Sequence, residues 1–449
     1  MLKPFLRVLS PREARAVLTG FVPLEVEETP LDEALFRVLA EPVKARDDLP
    51  SFHRSTMDGF AVRSSDTFGA TETSPGLLRV VGEIAMGEIH SIKLKRGEAI
   101  RIWTGGALPA GADAVVMIEQ TEELDEETVE ICKAVAPFEN VVRKGEDFKS
   151  GENLISKGHR LLPQDLGLLA AMGRGSAKVY RRPRVALISS GDEIVPIDQE
   201  PPPGCVRDVN RHSLSAMIRE AHGTPIWMGI APDRLNALSS LLNKAMRQSD
   251  VVVVSGGSSM GSRDHVIEAI QGSEDAEILV HGVSVSPGKP LILGRMGKHP
   301  VVGLPGHPVS AMVCFEQFVV PLMRRLEGEV QLRPYLHATF RAVLSRNCPS
   351  REGRTDFVRV RLQKSSGLVM AVPVPGKSGM ISSMVRAHGF VRIAPDCEGL
   401  YKGDDVTVNL FAPWLEESIE EEHLSRHETA RGSAGDFFGA SEQERLSRV

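Results

Sequence analysis

Residues Ser255 to Asp264, SGGSSMGSRD, follow the four-valine run Val251 to Val254 and lead into a helical-looking stretch, His265 to Ile270. An apolar run ending in a glycine-rich turn is how a buried parallel strand hands the chain to a helix, whose first N–H groups can cradle a phosphate. Three more turns share the pattern: Ser189-Ser190-Gly191-Asp192-Glu193 after Val185 to Ile188, Pro287-Gly288-Lys289-Pro290 before Leu291 to Leu293, and Leu304-Pro305-Gly306-His307-Pro308 after Val301-Val302. A single such turn is equally explained by tight geometry. Four of them at the ends of four apolar strands are expected to gather along one edge of one sheet, where open α/β sheets bind ligands. The glycine turn from Ser255 to Asp264 is then an anion-site candidate, with the carboxylates Glu193 and Asp264 within reach of a ligand lying across the turns.

The elements that position these turns alternate from Arg184 onward. A helix is expected from about Asn210 to Glu220, a strand over Ile226 to Ile230, and a helix over Asp233 to Arg247 with Leu235, Leu238, Leu241, Leu242 and Ala245 at helical spacing. Upstream, Ser10-Pro11-Arg12-Glu13 spells a capping box and a first-turn proline, and Thr29-Pro30-Leu31-Asp32 repeats the device before Ala34, Leu35, Val38 and Leu39. Short strands and turns fill the stretch from about Ser51 to Phe138, and Val141 to Gly175 reads as helical again. Past Gly328, Phe357, Arg359 and Arg361 alternate with Val358, Val360 and Leu362, as in a small barrel or sandwich. The fold class expected is multidomain α/β and β. It comprises an N-terminal helical domain (1–50 with 140–178), an inserted β-rich domain (51–139), a central α/β domain (179–328) and a C-terminal β domain (329–414). The tail 415–449 is acidic and poor in apolar residues, and disorder is expected there.

At 449 residues the chain needs several cores. Its formal charge of -6 argues against a general nucleic-acid binder. It has no apolar run of membrane-spanning length and no signal-peptide core, so a cytoplasmic location and no membrane partner are expected. The five scattered cysteines form no Cys-x-x-Cys pair, which points to buried thiols instead of a disulfide framework or a zinc site.

Further segments join the four turns: Ser55-Thr56-Met57-Asp58-Gly59-Phe60-Ala61, Thr104-Gly105-Gly106 before Pro109 to Val116, and Gly145-Glu146-Asp147. In this order and spacing, over roughly residues 5 to 412, the motifs resemble the molybdopterin molybdenumtransferase family, relatives of the C-terminal domain of gephyrin. The resemblance implies insertion of molybdate into adenylylated molybdopterin with release of AMP, assisted by Mg2+, in a homodimer whose site is built from two chains. It also makes the upstream molybdopterin adenylyltransferase a candidate partner. By match to the family's motifs, Asp58, Asp147, Glu193, Asp233 and Asp264 form the catalytic carboxylate set, with Glu193 and Asp264 as metal ligands. Thr104, Ser255, Gly256, Gly257, Gly261, Lys289, Pro305, Gly306, Arg354 and Ser378 are the implied binding residues.

Plainer roles stand beside several of these. Asp58 before Gly59 fits a turn, Asp233 after Pro232 fits a helix cap, and Asp147 fits a solvated charge run; Arg354 and Ser378 fit loop positions. Four departures from the family pattern are visible. Ser286 stands where the family carries a second lysine, His307 and His388 replace asparagines, and Ser258-Ser259-Met260 replaces valine-serine-valine. Two other readings are a non-catalytic scaffold that kept the fold, against which the complete carboxylate set stands, and a molybdopterin adenylyltransferase, which lacks the flanking domains seen here. Molybdate and tungstate are not distinguished.

Overall fold

The computed structural model describes residues 8–88, 92–256, 265–273, 275–330, 338–365 and 367–412. Gly257, Gly261 and Asp264, the substitution Ser258-Ser259-Met260, and the tail beyond Ala412 therefore lie outside the described residues. The chain forms two compact units: Val26–Val179, and the flanking chain up to Glu25 and from Tyr180 onward.

The flanking unit is built on a six-stranded sheet. Its strands are β1 (Arg184–Ser190), β2 (Thr224–Ala231), β3 (Val251–Ser255), β4 (Ala276–His281), β5 (Ile292–Met296) and β6 (His299–Leu304), in the order β2-β1-β3-β6-β5-β4. β2, β1, β3 and β6 run parallel, so their C-terminal ends share one edge. β5 runs antiparallel to β6 with Ile292 opposite Gly303, which brings the Pro287–Pro290 turn to that same edge. The four-valine run is apolar throughout because both sheet faces are covered. Val251 and Val253 join one core cluster and Val252 and Val254 another, all fully buried. Each contributes about 2 kcal/mol of transfer free energy. The helices α1 (Val209–Glu220), α2 (Leu235–Met246) and α3 (His265–Gln271) follow the first three strands.

The C-terminal strands close into a barrel. Thr355–Ser365 pairs with Leu368–Pro373 on one side and Gly389–Ile393 on the other, and Thr339–Leu344 and Asp405–Leu410 complete the circuit. Val360, Leu362, Val391 and Val408 fill its interior. Phe357 and Phe390, 6.2 Å apart and edge to face, instead belong to the core of the α/β sheet. The expected alternation along Phe357 to Leu362 thus separates two cores.

In the unit Val26–Val179 a six-stranded sheet orders Ala114–Met117, Gly59–Val62, Glu98–Ile102, Gly76–Ile84, Thr128–Ile131 and Thr121–Asp125. A separate core gathers Ala34, Leu39, Val43, Ile155, Leu161, Leu169 and Val179. Here the helical expectation is corrected. After Pro30 only a single 3-10 turn forms, Leu31–Glu33, because Phe36 takes φ 61 and breaks the path. Val38 and Leu39 then make bridges to Arg160 and Val179. Between Val141 and Gly175 the one helix is Pro163–Ala171, flanked by short strands.

Candidate functional site

The edge at the strand C-termini is held together by contacts that require glycine. Gly256 takes φ +95, and a Cβ there would stand 2.1 Å from the Ser190 carbonyl oxygen. Its N–H donates to the Leu304 carbonyl at 3.1 Å. Gly191 leaves room for the folded-back Glu193 side chain, since a Cβ would lie 2.5 Å from Glu193 Oε2. Gly288 admits Cys314, whose Sγ would be 2.4 Å from an added Cβ.

These turns line a cleft of about 880 Å3 with Ser189, Ser190, Glu193, Ser255, Gly256 and Pro290 on its walls, together with Pro305, Gly306 and His307. Two residues at the start of α1, absent from the sequence-based set, knit it together. Asp208 caps α1 by accepting from Arg211 N at 3.0 Å, and it accepts the buried Ser189 hydroxyl at 2.7 Å. Asn210 donates through Nδ2 to Ser255 Oγ at 2.6 Å and to the Gly306 carbonyl at 2.7 Å. Its buried Oδ1 has no partner among the described residues. An N-cap aspartate two residues before the expected helix start was the one signal in the sequence that pointed here.

Asp233 is not a helix cap. Arg234 occupies that position without a side-chain bond, and the Asp233 carboxylate accepts from Ser190 Oγ at 3.3 Å. Its backbone N–H donates to Asp192 Oδ1 at 3.1 Å, so the turns after β1 and β2 are joined. Lys289 is exposed in the turn between Pro287 and Pro290.

A second cleft, of about 710 Å3, shares His307 and Gly379 with the first and adds Ser286, Asp356, Arg359, Lys377 and Ser378. Ser378 Oγ lies 3.0 Å from His307 Nδ1, and the Ser378 carbonyl accepts from Val309 N at 3.0 Å. Arg354 is ion-paired with Asp356: Nη2 donates to Oδ2 at 3.0 Å, and Nε lies 2.9 Å from Oδ1 without making a hydrogen bond. Its charge is thereby offset. Arg359 lines the cleft itself and, among the described residues, donates to two uncharged acceptors, the Ser383 hydroxyl and the Gly376 carbonyl. Its buried Nε has no partner among the described residues, and burial pulls its pKa down. His388 stands apart from both clefts and accepts from Leu362 N at 3.2 Å within the barrel.

In the other unit, Thr104 donates to Asp58 Oδ1 through both its N–H and its hydroxyl, each at 2.7 Å. The hydroxyl bond and then the N–H bond hold the exposed Asp58 carboxyl below its usual range. Gly59 begins a strand instead of completing a turn; a Cβ there would come within 1.9 Å of the Val116 carbonyl oxygen. The pairing of Arg54–Ser55 with Val141–Val142 sets the chain entering Asp58 beside the chain leading to Asp147, which is exposed.

Three family models divide the chain between them: "MoeA N-terminal region (domain I and II)" over residues 9–173, "Probable molybdopterin binding domain" over 186–325, and "MoeA C-terminal region (domain IV)" over 341–411. A molybdopterin molybdenumtransferase from Nostoc sp. is 36% identical over 335 residues, covering 73% of this chain and 76% of the relative. One from Haemophilus influenzae is 32% identical over 391 residues, covering 87% and 95%. The chain belongs to the molybdopterin molybdenumtransferase family. A solved molybdopterin biosynthesis protein from Pyrococcus horikoshii matches with a TM-score of 0.77 at 29% identity, covering 90% of this chain and 100% of that one. The family membership assigns the chain to the molybdopterin-binding transferases of molybdenum cofactor biosynthesis. Among the described residues no helix is long and apolar enough to cross a membrane.

Proposed function

We propose that the glycine edge of the α/β sheet takes adenylylated molybdopterin, that the adjoining cleft takes molybdate, and that metal insertion is coupled to release of AMP. The observation that carries this reading is the meeting of two unlike clefts at His307 and Gly379. One is rich in carboxylates and hydroxyls, and the other holds an arginine whose hydrogen-bond acceptors are uncharged. A pyrophosphate linkage calls for N–H donors and a cation, whereas an oxyanion calls for positive charge and hydroxyl donors.

Magnesium fits the donor set of the larger cleft. Glu193 and Asp208 offer carboxylate oxygens on its wall beside the Ser189 and Ser190 hydroxyls, the hard donors that a small divalent cation prefers, and Asp233 accepts from Ser190. Among the described residues no three acidic, histidine or cysteine side chains converge on one point. Substrate phosphate oxygens and water would complete the shell, as is usual for this ion. Glu193, with Asp264, would hold it, and a bound ion would offset the charge on the phosphoanhydride oxygens. Asp233, oriented by Ser190, and Asp58, kept ionised by Thr104, would orient the attacking water and accept its proton. Arg359 and Ser378 would bind molybdate, with Arg354 acting through Asp356 to order the strand that carries Arg359.

A homodimer belongs to the same reading, as do a cytoplasmic location and a hand-over from the upstream adenylyltransferase. Incubation of purified protein with adenylylated molybdopterin, molybdate and magnesium tests it. AMP release that fails when Asp233 is replaced by asparagine supports the assignment; release unchanged by that variant contradicts it.

A further inference from the structure

A third cleft, of about 440 Å3, lies between α1, the helical segment after β6, and the barrel, and it shares only Ile381 with the cofactor cleft. Its walls are apolar and include Met217, Met312, Met384, Phe390 and Phe411, the two phenylalanines packed edge to face at 4.8 Å. Two carboxyl groups interrupt this surface, Glu220 at the end of α1 and Glu316. Glu316 belongs to the π-helical turn Phe315–Val319, a wide turn of the kind that recurs at functional sites. The residue is only 9% exposed, and it lines the cleft. Burial, and then the charge of Glu220, push its pKa up to about 8.

Holding an acidic group among apolar side chains is unfavourable, and a cationic ligand that pairs with it offsets part of that cost. The cleft volume falls within the range of small-molecule sites. An anion would meet two carboxyl groups, and a neutral apolar molecule would leave Glu316 as it is. A cation with an apolar body satisfies both surfaces, since ammonium carries three donors and methionine and aromatic walls accept a polarisable or cationic neighbour.

We propose that this cleft binds a small primary ammonium with an apolar body, the ammonium on the Glu316 carboxylate and the body against Met217, Met312 and Phe390. The site is independent of the molybdenum chemistry, and nothing in the two clefts above depends on it.

Calorimetric titration with 2-phenylethylammonium chloride, beside 2-phenylethanol at matched ionic strength, tests the proposal. Saturable binding about tenfold or more tighter than that of the alcohol is expected, and it should be lost in Glu316→Gln while AMP release is retained. Should Glu316→Gln fail to fold, Ala216→Phe, which puts a large side chain on another part of the cleft wall, should abolish binding. Equal affinity for the alcohol, no binding to the folded protein, or binding that survives either variant would overturn the assignment.

Discussion

Thr104 places two donors on a single oxygen of Asp58, and both bonds favour the ionised carboxyl. Replacing Thr104 by valine removes the hydroxyl and keeps the N–H, so the Asp58 pKa should rise. The acid limb of the AMP-release profile should then move to higher pH, with partial activity left near neutrality; an unmoved limb would detach Asp58 from the chemistry. The two arginines of the barrel strand make a sharper contrast. Arg354 is offset by Asp356, whereas Arg359 meets neutral acceptors among the described residues. Arg359→Met should raise the molybdate concentration for half-maximal turnover by about tenfold, the loss of one charge-assisted contact, and Arg354→Met should raise it less. Titration of molybdate against initial rate with both variants separates them. Sequence alone pointed to Arg354 by match to the family's motifs, and neither arginine's acceptor could be read there. The same limit hid Asp208 and Asn210, whose partners Ser189, Ser255 and Gly306 lie far away along the chain.

Glu316 shows how an element sets the chemistry of a residue. Its helix widens into a π turn at Phe315–Val319 and buries the carboxyl, whose pKa is about 8 against an ordinary value of 4.5. The folded state therefore binds this proton more tightly than the unfolded chain does. The resulting stabilisation is complete below about pH 4.5 and is lost as pH rises through about 8. Glu316→Gln, uncharged at every pH, should melt close to the parent protein near pH 5 and several degrees above it near pH 9, as thermal denaturation across that range would record. A constant difference at all pH values would show that the group titrates normally. Elements of the α/β unit were legible because a fully apolar four-residue run bounded by glycine has few alternatives as a buried strand. The stretch from Leu31 to Leu39 was not, since Ala34 and Leu39 reach their core through a 3-10 turn and a β-bridge with the spacing a helix would also give. A left-handed Phe36 is invisible in composition.

At the scale of the whole molecule the carboxylates are divided between two units. Asp58 and Asp147 belong to Val26–Val179, and Glu193 and Asp233 to the flanking chain. The proposed homodimer predicts that light scattering gives twice the chain mass under conditions where the protein turns over. A monomer that still turns over would refute the shared site. The seven motifs made the family legible from one sequence, because their order along the chain is far more specific than any one of them.

The most direct test follows the metal itself. Purified protein, adenylylated molybdopterin and magnesium are supplied with molybdate at a concentration too low for uncatalysed insertion, and the product is offered to a cofactor-free molybdoenzyme. Recovery of that enzyme's activity in proportion to AMP released is the predicted result. Release of AMP without recovery would contradict the account, because the chain would then hydrolyse the nucleotide linkage without delivering molybdenum.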